Sequence, residues 1–552
     1  MKSIQLYRSY WKNRTSLEVE IYICGWAEYG EVIYSSDKFI DLVYDQYLLF
    51  DIDKFKDFVL QLNGNFSIII NSKAFIILCV DKMRCFPILY FQNNDNTFIT
   101  DDIDVFRQMN NNERLLVNDK IIEQYLCSDF IFGPYTIFTN VYSLQAGEIV
   151  KICDGKHFRY QYFQWAPNMH FEAFRDFKIE ASILDSIFFS IIKRMIDSAP
   201  YVNNWIIPLS GGHDSRMIIN YLYKLGIKNV ICYSFGTKNN IQSVISEKVA
   251  TALGFEWHFI EYTPDTLLEI SKSQEIEKYR RYAFNGSSVP HLQDFIAVYM
   301  LKKKEIIQLG DIFVPGHTLN FIAGDQIQSG MELCSSSKSA LFYLKKHFNK
   351  FGYSKKNADF FKSILDIIET YKVAPNQIPE YFDWQEAHTK FITNWIKCYE
   401  YFGFDWRLPL WDNQLINYWS NIGYNYRFRR NLFFNLQNRF LLLDNLKSIP
   451  FANDIINQNK SLKVKIIEFI PSSIKMIIRF LGYSKSTYFV PDGLHLLYAD
   501  NIDTIIDYQN SFSVPSIVRK YLSHYPKNMK LGCFSVNNVS SLLIIKEHFL
   551  YK

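Results

Sequence analysis

One sequence feature limits the possible folds of this chain more than any other. It is a short apolar run followed by a glycine-rich turn and a helical pattern. The run WIIPL (205–209) has the length of a buried strand, SGGHDS (210–215) follows it, and a helix is predicted over about 215–225. Two more apolar runs, NVICYSF (229–235) and EWHFIEY (256–262), flank a helix predicted over about 242–253. This alternation is typical of a parallel sheet with covering helices.

The turn at the end of that strand has the composition of a phosphate-binding loop. Gly211 and Gly212 allow backbone N–H groups close to phosphate oxygens, Ser210 and Ser215 add hydroxyl donors, and the helix N-terminus adds its positive dipole end. The carboxylate of Asp214 suits such a site if it binds Mg²⁺. The alternative is structural, with a tight turn, capping serines and a first-turn acid. We favour the phosphate site because these residues lie together between a strand and a helix.

The remaining pattern predicts a second kind of architecture. Residues 18–100 contain short β-runs (EVEIYICGW, NFSIIIN, AFIILCVD, FPILYFQ and TFIT) between Asn, Asp and Gly turns, and 133–165 is again strand-like with a turn at Ala146 and Gly147. We predict an antiparallel region over 1–165 and an α/β region over 166–552, which is mainly helical beyond Ala340. The length of 552 residues is compatible with two to four domains.

Composition excludes several classes of protein. With 48% hydrophobic and 21% charged residues the chain has the balance of a soluble globular protein, and a net charge of +4 argues against a nucleic-acid partner. The nine cysteines are dispersed without zinc spacing, which favours reduced thiols in the cytoplasm.

We predict no signal peptide and no membrane span. Segment 461–482 is amphipathic and could lie on a membrane, but Pro471 divides it, so we favour a packed helix pair and expect no membrane association.

Several ordered motifs together resemble the asparagine synthetase family of PP-loop ATP pyrophosphatases, in the divergent form found with bacterial surface-polysaccharide genes. LNGNFSIIIN (62–71), VDKMRCFPILYF (80–91) and TIFTNVYSLQAGEIV (136–150) are similar to its glutaminase domain, and DIFVPGHTLNFIAGDQI (311–327) and GFDWRLPLWDNQL (403–415) to its synthetase domain. The resemblance implies an antiparallel β-sandwich of the N-terminal nucleophile type over 1–165, a degenerate glutaminase-like domain. It implies a PP-loop α/β synthetase domain with a helical C-terminal part over 166–552.

The family's reaction has two steps: ATP adenylates a carboxylate with loss of pyrophosphate, and an amine then attacks the acyl adenylate. The resemblance assigns pyrophosphate and Mg²⁺ to Ser210, Gly211, Gly212, Asp214 and Ser215, and the adenosine pocket to Leu209, Ser234, Gly236 and Gly316. It places Asp405 near the acceptor and makes Lys460 the candidate catalytic lysine, although a solvated surface lysine is an equal interpretation. Four arginines could also supply positive charge: Arg427, Arg429, Arg430 and Arg439. Arg407 and Asp412 are interpreted as fold-bracing residues.

Departures from the family pattern limit these expectations. The glutaminase nucleophile is a cysteine at the mature N-terminus, whereas Lys2 follows Met1 here, and Cys24 is interpreted as a strand residue. We therefore expect no glutamine hydrolysis by this chain, so the nitrogen would come from ammonia or a separate glutaminase. Asn320 stands at the position of a metal-binding acid, which Asp311 or Asp325 could replace.

The histidines near these motifs have a structural interpretation first. His213, His291 and His317 are expected to cap or pack, although His317 takes the place of an acid in the family pattern.

Two functions remain open at this stage. The first is an ATP-dependent amide ligase whose acceptor is aspartate or a sugar uronic acid, with ATP and Mg²⁺ as cofactors and a homodimer allowed. The second is a catalytically inactive relative that works as an interaction protein. A PP-loop enzyme acting on transfer RNA would need a basic domain or zinc-type cysteines, and the sequence has neither.

Overall fold

The structure is a computed structural model that describes residues 2–48, 50–93, 96–108, 118–347, 358–459, 541 and 543–545. Its strands are β1 Lys2–Gln5, β2 Lys12–Thr15, β3 Val19–Tyr29, β4 Val32–Ser35, β5 Asn63–Ser72, β6 Ile76–Val80, β7 Leu89–Asn93, β8 Asn96–Thr100, β9 Val141–Ser143, β10 Glu148–Cys153, β11 Lys156–Gln161, β12 Trp205–Pro208, β13 Val230–Gly236, β14 Glu256–Glu261, β15 Ile312–Phe313 and β16 Asp405–Trp406.

Most of the α-helices of the described residues lie beyond residue 165. They are α1 Ser36–Leu48, α2 Ile52–Gln61, α3 Asp104–Gln108, α4 Asp119–Ser128, α5 Phe177–Asp197, α6 Asp214–Lys224, α7 Ile241–Leu253, α8 Pro264–Ser271, α9 Gln274–Phe284, α10 Gln293–Lys303, α11 Leu319–Ile322, α12 Ser337–His347, α13 Ala358–Ile368, α14 Ile378–Phe382, α15 Lys397–Tyr401, α16 Asn413–Asn421, α17 Tyr424–Arg427, α18 Asn431–Leu436, α19 Asp444–Lys447 and α20 Ala452–Asn459. Short 3₁₀ helices span Met331–Leu333, Thr393–Ile396, Pro409–Trp411 and Phe428–Arg430, and π-helical segments span Asp383–Ile392 and Gln437–Leu441.

The amino-terminal strands form two sheets, in the region where the β-runs predict antiparallel strands. One has the order β1-β8-β7-β9 and the other β11-β10-β6-β5-β3-β2, with β4 paired to β3. Every pair is antiparallel except β1–β8, which is parallel. The antiparallel prediction is therefore confirmed but for that pair. A parallel pair needs a long crossover, and the chain between Gln5 and Asn96 supplies it.

Alternate residues of β5 and β6 enter two different cores. Ile69 and Leu78 pack towards Tyr90 and Ile99 of the facing sheet. Their neighbours along the same strands pack on the opposite side against α1 and α2, in a core that includes Ile68, Ile70, Ile77, Phe39 and Phe58. Because helices cover one face and a sheet covers the other, these strands are apolar throughout rather than alternating.

The region over 166–552 contains the predicted parallel sheet, with the order β14-β13-β12-β15-β16. The predicted strands at 205–209, 229–235 and 256–262 are confirmed as β12, β13 and β14, and the two predicted helices as α6 and α7. Trp205 pairs in register with Ile312, and Ile312 with Asp405. These three residues therefore mark the amino edge of the sheet, while the loop after Pro208 lies at its carboxyl edge.

The described part of the chain beyond Ala340 is mainly helical, as predicted. Lys460 and segment 461–482 lie outside the described residues, so the interpretations of both stay predictions. Within the ranges that the structure describes, no helix combines the length and the apolar character needed to cross a bilayer.

Candidate functional site

The loop over 210–215 is closed by its own two serines. The hydroxyl of Ser215 accepts a hydrogen bond from the N–H of Ser210 (3.3 Å), and the hydroxyl of Ser210 accepts one from the N–H of Gly212 (3.2 Å). The two hydroxyl oxygens lie 3.3 Å apart. Asp214, the fifth residue of this segment, begins α6. Two hydroxyls and the N-terminus of a helix thus meet at one turn, which is the arrangement expected for an anion site.

Asp214 is the most unusual group of this loop. Its Oδ2 accepts a hydrogen bond from the N–H of Asn320 (3.1 Å), whereas its buried Oδ1 has no hydrogen-bond partner among the described residues. Burial raises the pKa of the Asp214 carboxyl to about 6, against the opposing effects of the Asn320 N–H and the charge of Arg430. A buried carboxylate oxygen without a partner is costly, so it marks a position that a ligand would satisfy.

Mg²⁺ fits this donor. Proteins usually bind Mg²⁺ through one or two carboxylates together with substrate phosphates and water. Within the described ranges, no group of three His, Cys, Asp or Glu side chains is placed to hold a metal ion by itself. The free Oδ1 of Asp214 therefore suits a metal that arrives with a phosphate, rather than a closed protein site.

Gly316 and Asn320 approach the loop from the segment after β15. A Cβ atom on Gly316 would lie 2.9 Å from the backbone nitrogen of Ser215 and 3.2 Å from the Cβ of Asp214, so only glycine allows this approach. Asn320 reaches Asp214 through its backbone N–H, while its side-chain Oδ1 accepts a hydrogen bond from the N–H of Phe321 (2.9 Å). Its amide oxygen is thus engaged within its own turn.

The residues assigned to the adenosine pocket lie at the same edge of the sheet. The N–H of Leu209 donates to the carbonyl of Tyr233 (2.9 Å), which sets Leu209 beside Ser234 on β13. Gly236 ends β13 with φ +121°, a conformation that favours glycine. The carboxyl ends of neighbouring parallel strands commonly form ligand crevices. The structure thus brings Leu209, Ser234 and Gly236 to the edge that carries the loop.

Comparison with known proteins adds little here. No family model and no curated protein match the chain. Solved structures similar to parts of it include NMN synthetase from Francisella tularensis (14% identical, covering 37% of this chain and 94% of that chain, TM-score 0.21). They also include NH3-dependent NAD synthetase from Campylobacter jejuni (12% identical, 38% and 96% covered, TM-score 0.21) and an allosteric regulatory enzyme of purine biosynthesis (10% identical, 46% and 62% covered, TM-score 0.20). This chain spans less than two thirds of the purine enzyme, and these TM-scores are too low to carry any argument. The site is therefore interpreted from its own geometry.

A segment that sequence reasoning did not assign to the site covers the loop. The N–H of Ala452 donates to the carbonyl of Gly211 (3.0 Å), and a Cβ atom on Gly211 would lie only 2.6 Å from the Cβ of Ala452. Arg216 donates to the carbonyls of Ile449 (2.7 Å) and Pro450 (2.9 Å). The sequence signal for this segment is the Ile449-Pro450 dipeptide, which lies ten residues before the candidate lysine Lys460.

His213 is part of this cover rather than a free imidazole. Its Nδ1 lies 2.6 Å from Oε1 of Gln437, and its ring stacks on Phe451 with the ring centroids 3.7 Å apart. Burial lowers the pKa of the His213 imidazole to about 4, against the raising effect of the Gln437 hydrogen bond. The packing interpretation of His213 is confirmed, and Gln437 is a neighbour that the sequence did not indicate.

Two further histidines, His291 and His317, lie in an aromatic setting beside Trp395. Nε2 of His291 lies 2.7 Å from the carbonyl of Phe391, and its ring stacks on Trp395. Burial, with a smaller effect from His291, lowers the pKa of His317 to about 3. Nδ1 of His317 has no hydrogen-bond partner within the described part of the chain. His317 thus presents a neutral imidazole next to the loop's glycine neighbour.

Asp405 is not brought to the loop. It begins β16 at the amino edge, in register with Ile312, and therefore lies about 15 Å from Ser210 along the strand direction. Its carboxylate accepts from Arg407 at 2.7 Å, and its side chain is 57% exposed. Its assignment to the acceptor stays a prediction that this placement does not support.

Arg407 and Asp412, the two residues interpreted as fold-bracing, each contact residues outside the loop over 210–215. Arg407 donates to the hydroxyl of Ser198 (2.8 Å) as well as to Asp405, and Asp412 accepts from Asn63 (3.0 Å) and from Arg194. Both are buried, so their structural interpretation fits their surroundings.

Of the two acids that could compensate for Asn320, only one is near the loop. Asp325 forms an ion pair with Arg430 (3.1 Å), and the charges of both act on Asp214. Asp311 is buried at the amino edge, where it accepts from the side chain of Asn204 (3.0 Å) and the N–H of Gln308 (2.7 Å).

Cys24 lies in the interior of β3, which confirms its interpretation as a strand residue. Burial raises the pKa of its thiol well above the usual value. A thiol in this state is a poor nucleophile.

Proposed function

We propose that this protein is an ATP-dependent carbon–nitrogen ligase of the asparagine synthetase type, with a PP-loop synthetase domain over 166–552 and a degenerate glutaminase-like domain of the N-terminal nucleophile type over 1–165. The observation that carries the proposal is the loop over 210–215, in which Asp214 keeps a buried oxygen free beside two serine hydroxyls and a helix N-terminus. A metal-bound pyrophosphate would satisfy all of these groups.

In the proposed reaction an acceptor carboxylate oxygen forms a bond to the α-phosphorus of ATP, and the bond from that phosphorus to the bridging oxygen breaks. The departing pyrophosphate would be held by four residues of the loop: Ser210, Gly211, Gly212 and Ser215. Asp214 would hold Mg²⁺, which would offset the phosphate charge. The adenosine would be surrounded by Leu209, Ser234, Gly236 and Gly316. An amine then forms the carbon–nitrogen bond, loses a proton and displaces AMP.

Acceptor and nitrogen source belong to the proposal as well. We propose aspartate or a sugar uronic acid as the acceptor, and ammonia or a separate glutaminase as the source of nitrogen. The buried thiol of Cys24 supports the absence of glutaminase activity in this chain. Lys460 stays the proposed catalytic lysine, and a cytoplasmic, homodimeric enzyme stays our expectation.

One set of observations favours the second candidate, an inactive interaction protein. The amide oxygen of Asn320 is engaged by Phe321, and Asp405 lies at the opposite edge of the sheet from the loop. Two residues that the family pattern assigns to the metal and the acceptor are thus committed elsewhere.

Pyrophosphate release separates the two candidates. The full chain is incubated with ATP, Mg²⁺ and ammonium, with aspartate and a panel of uronic acids, beside Asp214→Asn as the matched control. The ligase predicts release that depends on one carboxylate and disappears in the variant. No release with any acceptor, together with no binding of ATP, would overturn the ligase and favour the interaction protein.

A further inference from the structure

The loop needs a cation for its anionic ligand, and the sequence offers four arginines in one stretch. Arg427 is fully buried and binds Glu380 through two hydrogen bonds (2.7 and 3.1 Å). Arg429 is exposed, with its guanidinium over the ring of Phe428 (5.1 Å), and Arg439 is exposed as well. The remaining arginine, Arg430, is linked to the loop through Phe434, whose ring contacts both: its centroid lies 4.5 Å from that of the His213 ring, and the Arg430 guanidinium lies over it. The charge of Arg430 also acts on both His213 and Asp214.

The hydrogen-bonding capacity of the Arg430 guanidinium is only partly satisfied. Its Nε lies 3.1 Å from Oδ1 of Asp325, yet this buried nitrogen makes no hydrogen bond of normal geometry to a described residue. The guanidinium also lies over the ring of Phe434, 4.4 Å from its centroid. An ion pair with a 37% exposed carboxylate contributes little stability, so a more highly charged anion can displace it.

The backbone at this position points the same way. Arg430 has φ +58° and Arg429 has φ +53°, the left-handed region that residues other than glycine seldom occupy. Holding such residues there costs roughly 1 kcal/mol each, and conformations of this kind concentrate at functional sites. The two consecutive arginines differ in their surroundings, because Arg429 is exposed over Phe428 whereas Arg430 packs on Phe434 and pairs with Asp325.

We propose that Arg430 binds the pyrophosphate group at the loop over 210–215, and that Asp325 holds Arg430 in position until that anion arrives. The inference rests on the proposed function, because it adds a binding residue to the same site. The planar guanidinium suits a phosphate because it can donate two parallel hydrogen bonds, which no lysine can do. Asp325 is left free when the anion takes Arg430.

Calorimetric titration of the full chain with inorganic pyrophosphate in Mg²⁺ tests this inference. Arg430→Gln is expected to weaken binding about tenfold or more, since it removes charge-assisted hydrogen bonds. Arg429→Gln is the matched control, because it removes the same charge from the neighbouring left-handed residue, and its affinity is expected to stay within about twofold. Arg430→Lys, which keeps the charge, is expected to fall between wild type and Arg430→Gln.

Asp325→Asn completes the experiment. If Asp325 only holds Arg430, its removal tightens pyrophosphate binding, whereas weaker binding would overturn its holding role. Equal affinities of the wild type and a folded Arg430→Gln variant, or equal losses in both glutamine variants, would overturn the assignment of Arg430. A wild-type chain that binds no pyrophosphate would instead overturn the anion site of the proposed function, and this inference with it. Thermal melting of each variant verifies that it is folded.

Discussion

The two edges of the parallel sheet treat their carboxylates differently. At the amino edge, Asp311 accepts from Asn204 and Gln308, and Asp405 accepts from Arg407. At the carboxyl edge, Asp214 has one oxygen bonded to the N–H of Asn320 and the other buried without a partner in the described ranges.

The difference separates structural from functional use of the same side chain. A carboxylate whose oxygens are satisfied joins neighbouring segments, and its removal costs stability. A buried carboxylate that is left partly unsatisfied costs stability by its presence, and such a group persists where a ligand supplies the missing interaction. The opposite signs of these two effects make the comparison testable.

The largest effect is expected from exchanging the carboxylate at the carboxyl edge. Asp214→Asn is expected to weaken binding of ATP with Mg²⁺ at least about 100-fold, because the metal loses its protein ligand. The same variant is expected to be more stable than the wild type without ligand, by roughly 2 kcal/mol at pH 7, because a buried charge is removed. Calorimetric titration and denaturant unfolding measure the two changes. A variant that binds as tightly as the wild type would remove the distinction between the edges.

A pH effect at Asp294 sharpens the comparison, because this buried carboxylate has three donors and no cationic partner among the described residues. It accepts hydrogen bonds from Tyr233 (3.2 Å), Trp395 (2.7 Å) and Tyr399 (2.6 Å). Burial nevertheless raises the pKa of Asp294 to about 6. The folded state then binds more protons than the unfolded state between about pH 4 and 6, so this group's contribution to stability falls as pH rises.

Asp294→Asn does not titrate, so the wild type is expected to lose roughly 2 kcal/mol relative to the variant from pH 4 to pH 6. Urea unfolding of both proteins at several pH values measures this difference. A stability difference that stays constant with pH would show that the donors fully offset the burial of Asp294.

Substitution of the two loop glycines tests whether segment 449–452, which covers the loop, contributes to the site. Gly211→Ala would place a Cβ 2.6 Å from that of Ala452 and push segment 449–452 away, so we expect a loss of about 1–2 kcal/mol in stability together with weaker ATP binding. Gly212→Ala, which also changes a proposed phosphate-binding residue, is the control for stability alone, because among the described residues its Cβ would meet only the Ser210 hydroxyl, at 3.0 Å. Thermal melting with and without ATP compares them. Equal effects of the two substitutions would exclude a specific role for the cover.

The smallest effect is expected at the amino edge. Asp405→Asn removes the carboxylate partner of Arg407, but Arg407 keeps the hydroxyl of Ser198 and the carbonyl of Trp406. Since Asp405 is largely exposed, we expect less than about 1 kcal/mol in stability and no change in ATP binding. The same unfolding and titration measurements apply. A loss of carboxylate-dependent pyrophosphate release in this variant would instead support the acceptor role that the sequence predicts for Asp405.

The sequence by itself determined the strand–loop–helix unit and its neighbours. Apolar runs, helical periodicity and two adjacent glycines are local signals, so β12, β13, β14, α6 and α7 could be predicted almost to the residue. The candidate phosphate loop follows from the same segment, because its donors are consecutive residues.

Only the tertiary structure decided which distant residues meet this loop. Of the four arginines it placed Arg430 where its charge acts on the loop, and it placed Asp325 rather than Asp311 near Asp214. It also set segment 449–452 over the loop and Asp405 at the far edge of the sheet. These outcomes depend on strand order and helix packing between segments some hundred residues or more apart. Periodicity describes which face of an element is buried, but it does not specify which other element will cover it.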